Sequence, residues 1–368
     1  MQEPDLSSRG FWEDSAHFPA GAWKGGLPAL GGFGSSVFFQ TSGSTGDAKW
    51  IVLEKKALLA SAAAVNEWLG VRSESVWGLA LPSDHVGGFA IFARVFEAKC
   101  GLKTFFGKWE TRRFAEWLGN GQVTHTSLVP TQLHDLVEAS LAAPDCLVAV
   151  VIGGGRLTDE LGQAARDLGW PVLASYGMTE AGSQIATQKR DDLDKAFSKC
   201  AMHVLPIWDV ETDGNDLLSI SGDALFCGTL VGEGKDARFE PRGADSFLTN
   251  DRVFLDDDVL LPLGRADSLV KVLGVLVDLE VMEQRLVEIA GKRIPTGKIA
   301  VIALVDGRRE HVLTAVFEGE AMEEVVDEYN RQAEGIEKIG RSFSVPEFSR
   351  SSLGKLRRKR LAEICAEM

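Results

Sequence analysis

The chain has 368 residues, of which 45% are hydrophobic and 25% charged, enough apolar content to bury a large core in two domains. Its formal charge of −14 excludes a sequence-wide attraction to nucleic acid or an anionic membrane, whose phosphates it would repel, and points to small-molecule partners. The five cysteines lack any C-x-x-C spacing and no apolar run approaches the roughly 20 residues of a bilayer span, so the reading is cytoplasmic, with no structural zinc and no membrane.

Residues 1–34 are rich in Gly, Pro and Trp without a sustained period, which predicts an irregular arm laid on a core, and MQEPDLSSRGFWEDS has no export signature. Short apolar runs then alternate with helical patterns: SSVFFQ, a helix over 55–69, VWGLALP, and a helix over 87–100. The alternation continues with VTHTSLVP, a helix from Thr131, CLVAVVIGGG, a helix from Thr158, and PVLASYGM. This is the pattern of βα units around a largely parallel sheet, with Pro130 at a helix start and Thr158 as N-cap. From 205 to 263 short strands broken by TDGND, SGD and DDD predict a β-rich subdomain. After GRADS the texture changes to a strand–loop–helix segment, the strands KIAVIALVD and HVLTAVFEG joined at Gly307, a charged helix from 320 and a basic tail. The expected class is therefore α/β: a large domain over 1–266 and a small α+β domain over 267–368.

The stretch FFQTSGSTGDAKW sets Thr41, Ser42, Gly43, Ser44, Thr45 and Gly46 before Lys49. Hydroxyls, backbone N–H groups approachable through glycine, and a mobile ammonium suit a phosphate, although the spacing is not that of a Walker loop. SYGMTEAGS places Tyr176, Gly177, Met178, Thr179 and Glu180 at the end of a predicted parallel strand, where open α/β sheets bind ligands. There Tyr176 could stack on a base, Thr179 bond a phosphate and Glu180 hold Mg²⁺. Asp251 in LTND offers a carboxylate suited to a ribose diol.

The ordered set T-S-G-S-T-G-x-x-K, L-P-x-x-H-V-G-G, I-G-G-G, Y-G-M-T-E, T-N-D, G-R-x-D-x-x-x-K-x-x-G and S-x-L-G-K, from about residue 38 to 360, resembles the adenylate-forming acyl-CoA synthetases. SLVPTQLHDLV and LTNDR are most similar to the branch that ligates 2-succinylbenzoate to CoA in menaquinone synthesis. The resemblance implies ATP, Mg²⁺ and coenzyme A as cofactor and co-substrates. It implies that Thr41–Gly46 and Lys49 cradle the phosphates, that Gly153, Gly154 and Gly155 lie along adenine, and that Tyr176, followed by Gly177 and Met178, packs against its ring. Thr179 would bind the α-phosphate, Glu180 Mg²⁺, Asp251 the ribose and Arg265 the ribose or phosphate. His85 would border the acyl pocket, Asp267 would be the hinge, Lys355 would serve adenylation, and Lys271 and Gly274 the thioester step.

The resemblance also has gaps: the family carries a longer stretch before its first motif, a proline where Ala48 stands, and T-G-D where this chain reads T-N-D. Arg156 is a candidate for the second carboxylate of a dicarboxylic acid, or a helix-entry surface arginine. His125 and His134 read as structural, and GKLRRKR as a solvated helix face more readily than a nucleic-acid patch. Two alternatives stay open: a CoA ligase for another aryl or acyl carboxylate, and a shortened nucleotide-binding homologue without turnover. The sequence leaves a homo-oligomer open.

Overall fold

In a computed structural model that describes residues 5–28, 34–41, 49–294, 297–350 and 356–368, the N-terminal arm is more ordered than its composition suggests. Its short helix α1 (Arg9–Glu13), capped by Ser8, buries Phe11 and Trp12, whose rings each stand 6.0 Å from that of Phe89. The arm continues as strand β1 (Phe18–Ala20), parallel to β2 (Ser36–Thr41), which pairs antiparallel with β3 (Lys49–Glu54). Lys55, buried at the start of α2 (Lys55–Leu69), donates to the carbonyls of Phe11 at 2.6 Å and Asp14 at 3.0 Å, so the arm is both packed and clamped. Aromatic burial, worth about 2 kcal/mol per ring, overrides the glycine-rich local signal.

The βα alternation then follows the sequence pattern: β4 (Val76–Leu79), α3 (Val86–Ala98), β5 (Gly101–Thr104), α4 (Thr111–Asn120), β6 (His125–Leu128), α5 (Pro130–Glu138), β7 (Ala149–Ile152), α6 (Asp159–Asp167) and β8 (Val172–Met178). Pro130 opens α5 and Thr158 caps α6 through the N–H of Leu161, as their chemistry predicts. These five strands run parallel in the order β5-β4-β6-β7-β8. The chain steps outward from β4 to β5 and returns on the other side of β4 as β6. A crevice opens at the carboxyl ends of strands where the order reverses in this way.

The sheet is extended to eleven strands by β9 (Ser183–Thr187), β10 (His203–Val204), β11 (Asp209–Thr212), β12 (Leu217–Ser221), β15 (Phe247–Asp256) and β16 (Val259–Arg265). Strands β13 (Gly228–Val231) and β14 (Arg238–Pro241) instead join β1, β2 and β3 in a five-stranded sheet. The β-rich texture after 205 is thus divided between two sheets. Pairing of β13 with β3, where Gly228 lies opposite Val52 and Val231 opposite Lys49, is a long-range choice that no local pattern announces.

Residues Met1–Thr249 with Val253–Pro262 form one compact unit, and Asn250–Arg252 with Leu263–Met368 a second. The second unit holds the hairpin β17 (Leu269–Val272) and β18 (Val275–Asp278), then α7 (Leu279–Ala290). A three-stranded sheet follows, of β19 (Ile299–Asp306), β20 (Glu310–Glu318) and β21 (Arg341–Val345), with α7 and α9 (Arg358–Ala366) packed on β19 and α8 (Glu323–Gln332) on α7. It has its own core, including Met282, Leu286, Val301, Phe317 and Tyr329. The basic tail is not wholly solvated: Leu361 and Cys365 of α9 are buried, and Arg358 pairs with Glu283 at 2.5 Å. The chain is an α/β protein.

Candidate functional site

Three adjacent parallel strands end side by side, with Leu128 of β6 opposite Ile152 of β7, and Ile152 opposite Ala174 of β8. Beyond Ile152 the chain runs through Gly153, Gly154 and Gly155. The N–H of Gly153 donates to the Leu128 carbonyl at 3.2 Å, and a Cβ on Gly155 would stand 3.3 Å from Pro130 Cδ. The run is a ledge of bare backbone on which a flat ring can lie close.

Next to it, β8 carries Tyr176, Gly177 and Met178 into a single 3-10 turn, Thr179–Ala181. The ladder to antiparallel β9 slips between Tyr176 and Gly177. A Cβ at Gly177 would lie 1.7 Å from the Ser183 carbonyl oxygen, so only glycine admits this approach. The slip turns the strand end and aims Met178, Thr179 and Glu180. Two hydrogen bonds hold the turn: Gly182 N–H to the Thr179 carbonyl at 3.1 Å, and Phe226 N–H to the Glu180 carbonyl at 2.9 Å. Tyr176, Thr179 and Glu180 are half-buried. Sequence reasoning chose these residues from separate motifs, and the parallel register brings the two groups together.

His85 follows β4 on the same edge of the sheet, as N-cap residue of α3. Its Nε2 stands 3.9 Å from Asp84 Oδ1, and its ring is mostly buried. A Cβ at Gly88 would meet the Pro82 carbonyl oxygen at 2.1 Å, so the second glycine of LPSDHVGG lets α3 start tight against this loop.

One residue that motif reading passed over stands out on α3. Arg94 is 2% exposed, yet no carboxylate pairs with it among the described residues. Its guanidinium donates to Gln184 Oε1 at 2.8 Å and to the hydroxyls of Ser183 at 3.3 Å and Ser127 at 3.5 Å, and lies 5.0 Å from the Trp77 ring centroid. Ser127 is on β6, while Ser183 and Gln184 pair with Met178 and Gly177, so this cation sits behind the strand ends that form the crevice. Burial pushes its pKa down to about 9. The signal was present in the sequence as one charge inside the apolar run FAIFARVF. Arg156, the sequence candidate, is exposed beside the glycine ledge.

Neighbouring His125 is 1% exposed, lies over Trp77 at 5.4 Å, and has its pKa pushed down to about 4, first by burial and then by the charges of Arg190 and Arg94. His134 is half-buried, 4.0 Å from Glu138.

In the second unit Arg265 is held by two carboxylates. It donates to Asp267 through Nε at 2.7 Å and a terminal nitrogen at 2.8 Å, and to Asp251 at 3.1 Å. The fork raises the arginine pKa and holds Asp267 below the usual carboxylate range. Asp267 lies in the 3-10 turn Ala266–Ser268 between β16 and β17. Lys271 is exposed on β17, its carbonyl accepting from His311 Nδ1 at 2.9 Å. Gly274, at φ +80°, turns the β17–β18 hairpin, and its N–H donates to Glu310 at 2.7 Å.

Ser42, Gly43, Ser44, Thr45, Gly46 and Lys355 lie outside the described residues. The residues flanking that loop, Thr41 and Lys49, face each other across the β2–β3 ladder, with Lys49 exposed.

Residues 36–212 match the AMP-binding enzyme family. The chain is 30% identical over 228 residues to the 2-succinylbenzoate–CoA ligase of Staphylococcus epidermidis, covering 61% of the chain and 47% of the relative. It is 32% identical over 156 residues to the 2-succinylbenzoate–CoA ligase of Enterococcus faecalis, covering 41% and 32%. The chain spans about half the length of the curated relatives it matches. A variant of E. coli MenE with bound OSB-AMS superimposes with a TM-score of 0.72 at 24% identity, over 90% of this chain and 69% of that chain. The o-succinylbenzoate coenzyme A synthetase of Bacillus subtilis in complex with ATP and magnesium ion gives 0.75 at 21% identity, over 88% and 69%. At these identities the likeness shows a shared fold.

Proposed function

We propose that this protein is an ATP-dependent, AMP-forming acid–CoA ligase that converts 2-succinylbenzoate to its CoA thioester through an acyl-adenylate, in menaquinone biosynthesis and in the cytoplasm. The observation that carries the reading is the pairing, on one sheet edge, of the glycine ledge 153–155 with the strand end 176–180, with a buried cation behind them. A nucleotide fits this edge: the ledge accepts adenine, Tyr176 closes on it, Thr179 meets the α-phosphate, and Glu180 stands ready for the metal ion. No group of three or more metal-ligating side chains gathers among the described residues. Mg²⁺ binds through one or two carboxylates plus substrate phosphates, and Glu180 is the carboxylate that would hold it. When bound, the ion would neutralise phosphate charge.

In the first half-reaction a carboxylate oxygen of the acid attacks the α-phosphorus and pyrophosphate leaves. Two anions meet, so the barrier is largely electrostatic, and the residues of 41–46, Lys49 and Lys355 would oppose the charge on the phosphoryl oxygens. In the second, the CoA thiol attacks the acyl carbonyl and AMP leaves. Asp251 would hold the ribose, with Arg265 orienting it. We assign residues 267–368 to a mobile lid hinged at Asp267, presenting Lys355 in the first step and Lys271 and Gly274 in the second. His85 would border the acyl group.

A dicarboxylic acid needs a cation in the acyl pocket. Arg94 suits this better than Arg156, because it is buried on α3 against residues of β4, β6 and β9 with only neutral partners among the described residues, whereas Arg156 is exposed to water. Isotope exchange between pyrophosphate and ATP tests the whole reading. Exchange is expected with 2-succinylbenzoate and not with benzoate or fatty acids. Exchange with another acid alone would change the substrate, and exchange with none would leave a nucleotide-binding protein without turnover.

A further inference from the structure

The segment KTFFGKWETRR, residues 103–113, carries four cations and one acid in a chain whose net charge is −14. It links β5 to α4, and its tip Phe106 is 76% exposed. The exposure is built in. Phe105 packs edge-on against Phe114 and Trp117, each at 5.3 Å, and Trp109 lies 4.8 Å from Phe114 and donates through Nε1 to Asp135 at 2.8 Å. Arg113 lies 4.6 Å from the Phe105 centroid and donates to the Phe106 carbonyl, fixing the loop. Every ring around Phe106 is turned inward, and Phe106 alone is turned out.

The charges are equally one-sided. Lys103, Lys108, Arg112 and Arg113 make no ion pair among the described residues. The one acid, Glu110, is occupied capping α4 through the N–H groups of Arg112 at 3.0 Å and Arg113 at 2.7 Å. What faces solvent is an apolar ring among unpaired cations.

We propose that this loop docks on an anionic lipid bilayer, Phe106 entering the headgroup layer while the four cations meet lipid phosphates. The chain's overall negative charge does not forbid this, since at physiological salt a charge is screened beyond about 8 Å. A bilayer fits better than a protein or nucleic acid. A single projecting ring offers a peptide only one apolar anchor, and it offers a strand of bases only one stacking surface. No helix among the described residues is long and apolar enough to cross a membrane, so the contact is peripheral. Because β5 is parallel to β4, the loop leaves the sheet edge that carries the crevice, and docking holds that edge beside the lipid.

The test is co-sedimentation of the full chain with vesicles of equal phosphatidylglycerol and phosphatidylcholine, against pure phosphatidylcholine, with an oligothymidylate as competitor. Binding to the anionic vesicles alone is expected. Lys108→Glu with Arg112→Glu should weaken it at least about tenfold, each basic residue near an anionic surface being worth about fivefold in partitioning. Phe106→Ser should weaken it about tenfold by removing a buried ring. Both are surface changes, and unchanged melting temperatures would show the fold intact. Absence of binding, equal binding to neutral vesicles, indifference to both variants, or displacement of the vesicles by oligothymidylate would each overturn the proposal.

Discussion

Arg94 gives the sharpest separation between a side chain kept for structure and one kept for ligand. Burial holds its guanidinium at about 9, a desolvation cost of about 5 kcal/mol. One short hydrogen bond from a charged group, to Gln184, returns about 2 kcal/mol, and the Trp77 face about 2 kcal/mol more. The apo protein therefore carries this cation at a net cost of about 1 kcal/mol. Arg94→Met removes that cost but leaves Gln184 Oε1 buried and unpartnered, worth about 1–2 kcal/mol. Stability should thus change by no more than about 1 kcal/mol, unlike the 3–5 kcal/mol lost when one partner of a buried ion pair is removed. The acid should feel the change far more. Losing charged hydrogen bonds to the second carboxylate should raise the concentration of 2-succinylbenzoate for half-maximal pyrophosphate exchange about 30- to 100-fold, with the ATP requirement unchanged. Urea unfolding and the exchange assay on one preparation give both numbers. A variant losing more than about 3 kcal/mol with its acid dependence intact would make Arg94 a strut and refute the assignment.

Other perturbations probe neighbouring parts of the argument. His125 is neutral in the fold, its pKa lowered to about 4 mainly by burial, so between the ordinary 6.5 and 4 the unfolded chain binds more protons and stability falls as pH falls. The loss is about 3 kcal/mol across that window, and His125→Gln should flatten the pH dependence of the urea midpoint there. Gly177→Ala sets a methyl 1.7 Å from the Ser183 oxygen, which must part β8 from β9. It should cost about 3 kcal/mol and abolish the rise in melting temperature on adding ATP. Asp251→Asn should weaken ATP about tenfold in the same melting assay, as expected for one charge-assisted hydrogen bond, with little effect on the unliganded protein. Lys355→Ala should slow pyrophosphate exchange about 100- to 1,000-fold while sparing thioester formation from supplied acyl-adenylate. Equal loss of both steps would remove Lys355 from adenylation.

Local chemistry carried a good part of this protein into view before any coordinates. Period-3.6 and short apolar runs located helices at 55–69 and 87–100 and strands within CLVAVVIGGG and PVLASYGM, which form over 55–69, 86–98, 149–152 and 172–178, because those elements obey their own propensities. Strand β3 and helix α4 were passed over, the first because KWIVLE follows directly on the polar loop, the second because Thr111–Asn120 is mostly polar and buries only Phe114 and Leu118. The N-terminal arm was read as irregular from its glycines and prolines. Its order comes from rings packing on Phe89, a contact between segments more than 70 positions apart.

The motifs were legible because each needs particular residues at fixed spacing: three glycines for a ledge, a glycine before Met178 for a tight strand approach, a proline at a helix start. Those requirements act within a few residues of chain, so composition and order alone could set them. Which of them share a crevice was settled by the register of β6, β7 and β8 and the antiparallel slip of β9, and that register depends on how distant segments bury their apolar faces together. The same is true of Arg94. Only the folded chain surrounds it with two serines and a glutamine in place of a carboxylate, because pairing across the sheet, not spacing along the sequence, decides what a buried charge meets.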